Sequence, residues 1–125
     1  MAAPAGYEPP QWATDEARAF SDGSVIITDD PAEAVRGADA VYSDVWTSMG
    51  QEAEAAERRS LFVPYQINEA LFALAAPTGI FLHCLPAHRG EEVTDGVMDH
   101  ERSRVFDQAE NRLHAFKALL LHLAG

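Results

Sequence analysis

Asp44, Cys84 and Arg112 are the residues of this chain best suited to act on a small polar ligand. They are a carboxylate, the only thiol in the chain and a guanidinium. Each sits in a polar cluster that follows a short β-type run: Asp44-Val45-Trp46-Thr47-Ser48-Met49-Gly50, His83-Cys84-Leu85-Pro86 and Glu110-Asn111-Arg112-Leu113-His114. Open α/β sheets bind ligands outside the carboxyl ends of their strands, so this shared placement predicts one common site.

The chemistry available at each cluster differs. Asp44 could pair with a ligand ammonium, or cap the turn that follows it by accepting backbone N–H groups. Around it Trp46 and Met49 offer apolar walls, Ser48 a hydroxyl, and Gly50 a place where backbone can approach a ligand closely. An acidic group beside an apolar slot suits a chain ending in an amine. His83 and Cys84 are adjacent, so on a strand they face opposite sides. A zinc set of His83, Cys84 and His88 is disfavoured for that reason. Cys84 reads either as a small buried hydrophobe or as a thiol exposed where Leu85-Pro86 ends the strand, with Arg89 close enough to favour a thiolate. Arg112 reads as opening the terminal helix, where the backbone already carries partial positive charge, which suits a bound anion or polarised carbonyl. A surface arginine paired with Glu110 or Asp107 is the other reading. His114 and Lys117 fall on the solvated side of that helix, and residues 90–94 read as a loop and helix cap without chemistry of their own.

The elements that must position these groups alternate along the chain. After a Pro- and Gly-rich start, residues 11–22 have helical composition, and residues 24–28 (Ser-Val-Ile-Ile-Thr) read as a strand. Asp30 followed by Pro31 caps a short helix to about residue 36, Gly37 breaks it, and residues 40–43 form a second strand. Helices are expected over 51–61 and 68–75, the latter packing through Leu71, Phe72 and Leu74. Residues 79–83 are a near-continuous apolar run, as in a strand covered on both faces. A short helix starts at Thr94, a brief fourth strand spans 104–106, and from Ala109 a terminal helix carries Leu113, Phe116, Leu120 and Leu123 on one apolar face. Alternation of this kind predicts an α/β fold, an open parallel sheet with helices on both faces.

Composition bounds the function. At 125 residues the chain is one domain, able to bury roughly 65% of its extended surface. Its net charge of −11 opposes contact with phosphate backbones, so nucleic acid is an unexpected partner. No apolar run approaches a membrane span and no secretion signal opens the chain, so a cytoplasmic location is expected. One cysteine permits no internal disulfide, which suits a reducing compartment.

The three clusters, extended to His83-Cys84-Leu85-Pro86-Ala87-His88-Arg89-Gly90-Glu91-Glu92-Val93 and Asp107-Gln108-Ala109-Glu110-Asn111-Arg112-Leu113-His114, resemble the ornithine-binding half of ornithine carbamoyltransferases. The likeness runs in order from Ala2 to the C-terminus. Related aspartate carbamoyltransferases carry a different motif in place of His-Cys-Leu-Pro, and the Ser-Met-Gly loop points to ornithine. The resemblance implies a Rossmann-like half of a carbamoyltransferase, N-terminally truncated, in an enzyme that moves a carbamoyl group from carbamoyl phosphate to ornithine and releases citrulline and phosphate in arginine metabolism. It assigns the ornithine α-amino group to Asp44, with Ser48 and Met49 in the same pocket. It assigns carbamoyl phosphate to Cys84, Leu85 and Arg112, with Cys84 as proton acceptor or orienting group and Arg112 on the carbamoyl oxygen. It implies no cofactor, no resident metal, and a homotrimer for the full-length enzyme. The Ser-Thr-Arg-Thr and His-Pro-x-Gln motifs of the carbamoyl-phosphate domain are absent from the sequence. The chain alone is therefore expected to be inactive, and a non-catalytic amino-acid-binding or interaction domain, or a truncated product, is the alternative.

Overall fold

The computed structural model describes residues 1–20, 22–47 and 55–125. Its centre is a parallel pair of strands, β1 (Ala40–Ser43) and β2 (Ile80–His83), in the register Ala40↔Ile80 through Ser43↔His83. Both runs were legible as apolar segments bounded by breakers. Gly37, at φ +70°, turns the chain into β1 in a conformation that side chains with a Cβ avoid, and its N–H donates to the Leu74 carbonyl at 2.8 Å.

Helices flank this pair. They are α1 (Gln11–Phe20), α2 (Pro31–Val35), α3 (Ala55–Phe62), α4 (Glu69–Phe72), α5 (Asp95–Met98) and α6 (Val105–Leu123). Two short ones start on side-chain caps: Asp30 Oδ1 accepts the Ala32 N–H at 2.8 Å, and Asn68 Oδ1 accepts the Leu71 N–H at 2.9 Å. The core gathers Val41, Phe72, Phe81, Val93, Val97 and Val105, with Leu71 and Leu74 packed against it as expected. Phe72 meets Phe81 edge-on at 6.2 Å, and the Arg102 guanidinium lies 4.4 Å from the Phe72 ring centre.

Two expected strands are corrected. Residues 24–28 do not form one: only Thr28 pairs, in a single parallel bridge with Ala2, and Ile26 stays 61% exposed. A strand needs a repeated ladder, and this segment's backbone pairs singly instead, with the Met1 ammonium donating to the Ile26 carbonyl at 2.8 Å and Arg18 to the Val25 carbonyl at 3.4 Å. Residues 104–106 do not form one either. The third lane beside β2 is one bridge, Phe81↔Ser103, held by Phe81 N–H to the Arg102 carbonyl (3.1 Å) and Arg104 N–H to the Phe81 carbonyl (2.9 Å). The Gln108 N–H then reaches back to the Arg104 carbonyl at 2.9 Å, so the terminal helix begins at Val105, four residues before its expected start at Ala109.

Two surfaces are left apolar. Residues 1–3 and 40–44 line one cavity of about 630 Å³, together with Val35 and Ile67. On α6, Leu113, Phe116, Leu120 and Leu123, expected as a packing face, are at least half exposed. No described helix is long and apolar enough to cross a membrane.

Candidate functional site

The register of β1 against β2 builds the centre of the site. Ser43 pairs with His83, so the next residue on each strand, Asp44 and Cys84, leaves the sheet side by side. The Cys84 thiol donates to Asp44 Oδ1 at 2.9 Å, and the same oxygen accepts the Val45 N–H at 2.7 Å. Asp44 thus caps its turn and holds the thiol at once. Trp46 is buried beside it, its ring 6.2 Å from that of Phe62, and forms the expected apolar wall. Ser48, Met49 and Gly50 lie outside the described residues.

On the other side of Cys84 is a cleft of about 370 Å³ lined by Tyr42, Cys84, Gln108, Asn111, Arg112 and Ala115. The four helical members recur at three- and four-residue spacing and so share one face of α6. The Arg112 guanidinium reaches the Cys84 carbonyl at 3.4 Å. Arg112 lies about two turns inside α6, so its expected position at the helix N-terminus, and the argument from stacked positive charge there, are corrected. Its alternative ion-pair partners are engaged elsewhere: Asp107 faces Arg104 at 3.7 Å and Glu110 faces His114 at 3.8 Å.

The setting favours the protonated form of the thiol. Burial pushes the Cys84 thiol above its ordinary value, and the bond it donates to Asp44 raises it further. Desolvation likewise raises the Tyr42 hydroxyl, with its contact to Cys84 adding to the effect. The expectation that Arg89 favours a thiolate is corrected, because Arg89 is held by Asp95 (2.7 Å) and by both oxygens of Asp99 (2.8 and 2.7 Å). Those bonds raise the guanidinium pKa and lower that of Asp99.

A thiol whose folded pKa is raised adds stability below the ordinary thiol range, and that contribution is lost as pH rises through the elevated value. Asp44→Asn removes the charge that opposes ionisation. The rate of Cys84 alkylation by iodoacetamide at pH 8 should therefore rise, by about three- to tenfold, as the thiolate fraction grows. An unchanged rate would show that Asp44 does not control the thiol.

Several contributors were invisible in the sequence. Tyr42 and Gln108 line the cleft where α6 lies beside β2, and Asn111, part of the third polar cluster, joins them there. Glu92, in the segment read as a plain loop, is fully buried with His83. His83 points away from Cys84, as adjacent strand residues must, with Nε2 3.2 Å from Glu92 Oε1 and Nδ1 accepting the Leu85 N–H at 2.9 Å. Leu85, at φ +55°, turns the backbone sharply after the thiol. No sequence pattern marks a carboxylate for burial.

Together the groups place a carboxylate, a thiol and a guanidinium at the carboxyl ends of two parallel strands. An amine and a polarised carbonyl are complementary to that set. The family described as aspartate/ornithine carbamoyltransferase, Asp/Orn binding domain, matches residues 1–123. The chain is 56% identical over 126 residues to ornithine carbamoyltransferase of Anoxybacillus flavithermus, covering 98% of this chain and 40% of that protein. Its structure is similar to ornithine carbamoyltransferase of Pyrococcus furiosus, with TM-score 0.87 at 56% identity over 95% of this chain and 39% of that one. It is also similar to an acetylornithine transcarbamylase complexed with acetylcitrulline, with TM-score 0.85 at 34% identity over 100% of this chain and 39% of that one. The chain thus spans about two fifths of the relatives it matches.

Proposed function

The chain belongs to the aspartate/ornithine carbamoyltransferase family, and from that premise we propose that residues 1–125 are a partial ornithine-binding domain of an ornithine carbamoyltransferase. In this reading the complete enzyme transfers the carbamoyl group of carbamoyl phosphate to the side-chain amine of ornithine. The observation that carries it is the pairing of Asp44 with Cys84 at adjacent strand ends, with Arg112 across the same cleft.

Each residue then has a role that follows from its setting. Asp44 draws the α-ammonium of ornithine to the strand ends, with Ser48 and Met49 completing that pocket. Cys84 is the orienting group or proton acceptor for the incoming amine, its raised pKa favouring the orienting role, and Cys84 and Leu85 meet carbamoyl phosphate. As the neutral amine attacks the carbonyl carbon, a C–N bond forms and negative charge builds on the carbonyl oxygen. Arg112 stabilises that charge, and phosphate leaves with the electron pair of the broken C–O bond and takes up the proton that the attacking nitrogen releases. The free thiol agrees with a cytoplasmic location. The apolar stripe on α6 and the cavity beside β1 agree with surfaces that further chain covers, including the subunits of a homotrimer.

The test is a graft. Residues 1–125 replace the corresponding segment of the Pyrococcus furiosus relative, and citrulline is measured for the graft and for the isolated chain. The expected result is turnover in the graft and none in the isolated chain above its Cys84→Ala control. A graft that folds but forms no citrulline rejects the catalytic reading. Ornithine binding by the isolated chain, seen calorimetrically with an inactive graft, would support an amino-acid-binding domain instead.

A further inference from the structure

Glu92 is fully buried, yet only one of its two oxygens is satisfied. Oε1 accepts the His88 N–H at 2.6 Å and lies 3.2 Å from His83 Nε2. His83 Nδ1 accepts the Leu85 N–H, and its buried Nε2 faces Oε1 without making a hydrogen bond among the described residues. Oε2 has no hydrogen-bond partner among the described residues. Buried polar atoms are nearly always paired, and an orphaned carboxylate oxygen marks a place for a water or an ion.

What faces Oε2 decides between these. His88 Nδ1 stands 3.9 Å away, and Glu91 brings a second carboxylate so that ligand atoms of all three residues lie within 4.8 Å of one another. The backbone holds them there. The Glu91 N–H closes a turn onto the His88 carbonyl at 2.9 Å, with Gly90 at φ +86° in its third position, as such turns require. Gln66 Nε2 donates to the Gly90 and Glu91 carbonyls at 3.1 and 2.7 Å and ties the turn to the body of the protein. Arg59 pairs with Glu91 Oε1 and so holds that carboxylate beside the turn.

We propose that His88, Glu91 and Glu92 form a binding site for a divalent transition metal of the zinc type. One imidazole and two carboxylates, with water in a fourth position, are a donor set that such ions accept. The set does not use Cys84, which points away from His83, while His83 adjoins the set through Glu92 Oε1 at 3.2 Å. The ion neutralises the buried Glu92 and joins it to the exposed His88, closing the loop that follows Cys84 and Leu85. A protein of net charge −11 concentrates cations around such a site.

Zinc chloride titrated into the full 125-residue chain, by calorimetry and equilibrium dialysis, tests this. One equivalent should bind, with affinity falling about ten- to a hundredfold in His88→Ala and in Glu91→Gln and unchanged in Cys84→Ser. His88 is on the surface, so its replacement leaves the metal-free melting curve in place. Cobalt(II) should give visible bands without a thiolate charge-transfer band. Absence of saturable binding, binding that survives His88→Ala, or binding lost in Cys84→Ser would each overturn the proposal.

Discussion

Arg112→Ala, introduced into the grafted enzyme, should lower kcat by about 100- to 1,000-fold, the usual loss when one donor to a developing oxyanion is removed. The ornithine KM should change little, because Asp44, Ser48 and Met49 hold that substrate in the proposed arrangement. Arg112→Lys should recover only part of the loss, since an ammonium keeps the charge but not the planar fork. The substitution is safe to read as chemistry. Arg112 is exposed on α6, and its bond to the Cys84 carbonyl, at 3.4 Å, is long. A kcat within threefold of the parent graft would remove Arg112 from the reaction, and a raised KM at constant kcat would make it a binding residue.

This prediction rests on a residue whose type was legible and whose position was not. The sequence singles out Arg112 by its neighbours but places it at the start of a helix, because Val105 and Phe106 imitate a strand. The structure spends Val105 as the buried first residue of α6 and leaves Phe106 exposed, which a local apolar pattern cannot foresee. β1 and β2 were legible because breakers bound each apolar run. Their register was not, and it alone turns Asp44 and Cys84 from two separate candidates into a hydrogen-bonded pair. Residues 24–28 show the opposite failure: their β-branched composition favours a strand, but composition supplies no partner. Arg89 was misread because its charge was visible and the carboxylates that consume it, on α5, were not yet folded against it. Glu92 is the extreme case, a charge whose burial depends wholly on the turn at Gly90 and the position of His83.

Phe81→Ala should cost about 3–5 kcal/mol of stability, a large part of the roughly 5–15 kcal/mol that holds a small domain together. Phe81 is completely buried at the centre of β2, opposite Val41 on one side and bridged to Ser103 on the other, with its ring against Phe72. Removing the ring opens a cavity where both lanes of backbone pairing meet. Urea unfolding should show the midpoint falling sharply in Phe81→Ala and much less in Phe81→Leu, which refills most of the space. The site should fail with the sheet, because the register at Ser43 and His83 brings Asp44 and Cys84 side by side. Alkylation of Cys84 at neutral pH should accordingly approach the rate of an unfolded thiol in Phe81→Ala while staying slow in Phe81→Leu. If Phe81→Ala lowers the midpoint but leaves the thiol protected, the Asp44–Cys84 pair is held by the strand-end turns themselves and not by the sheet beneath them.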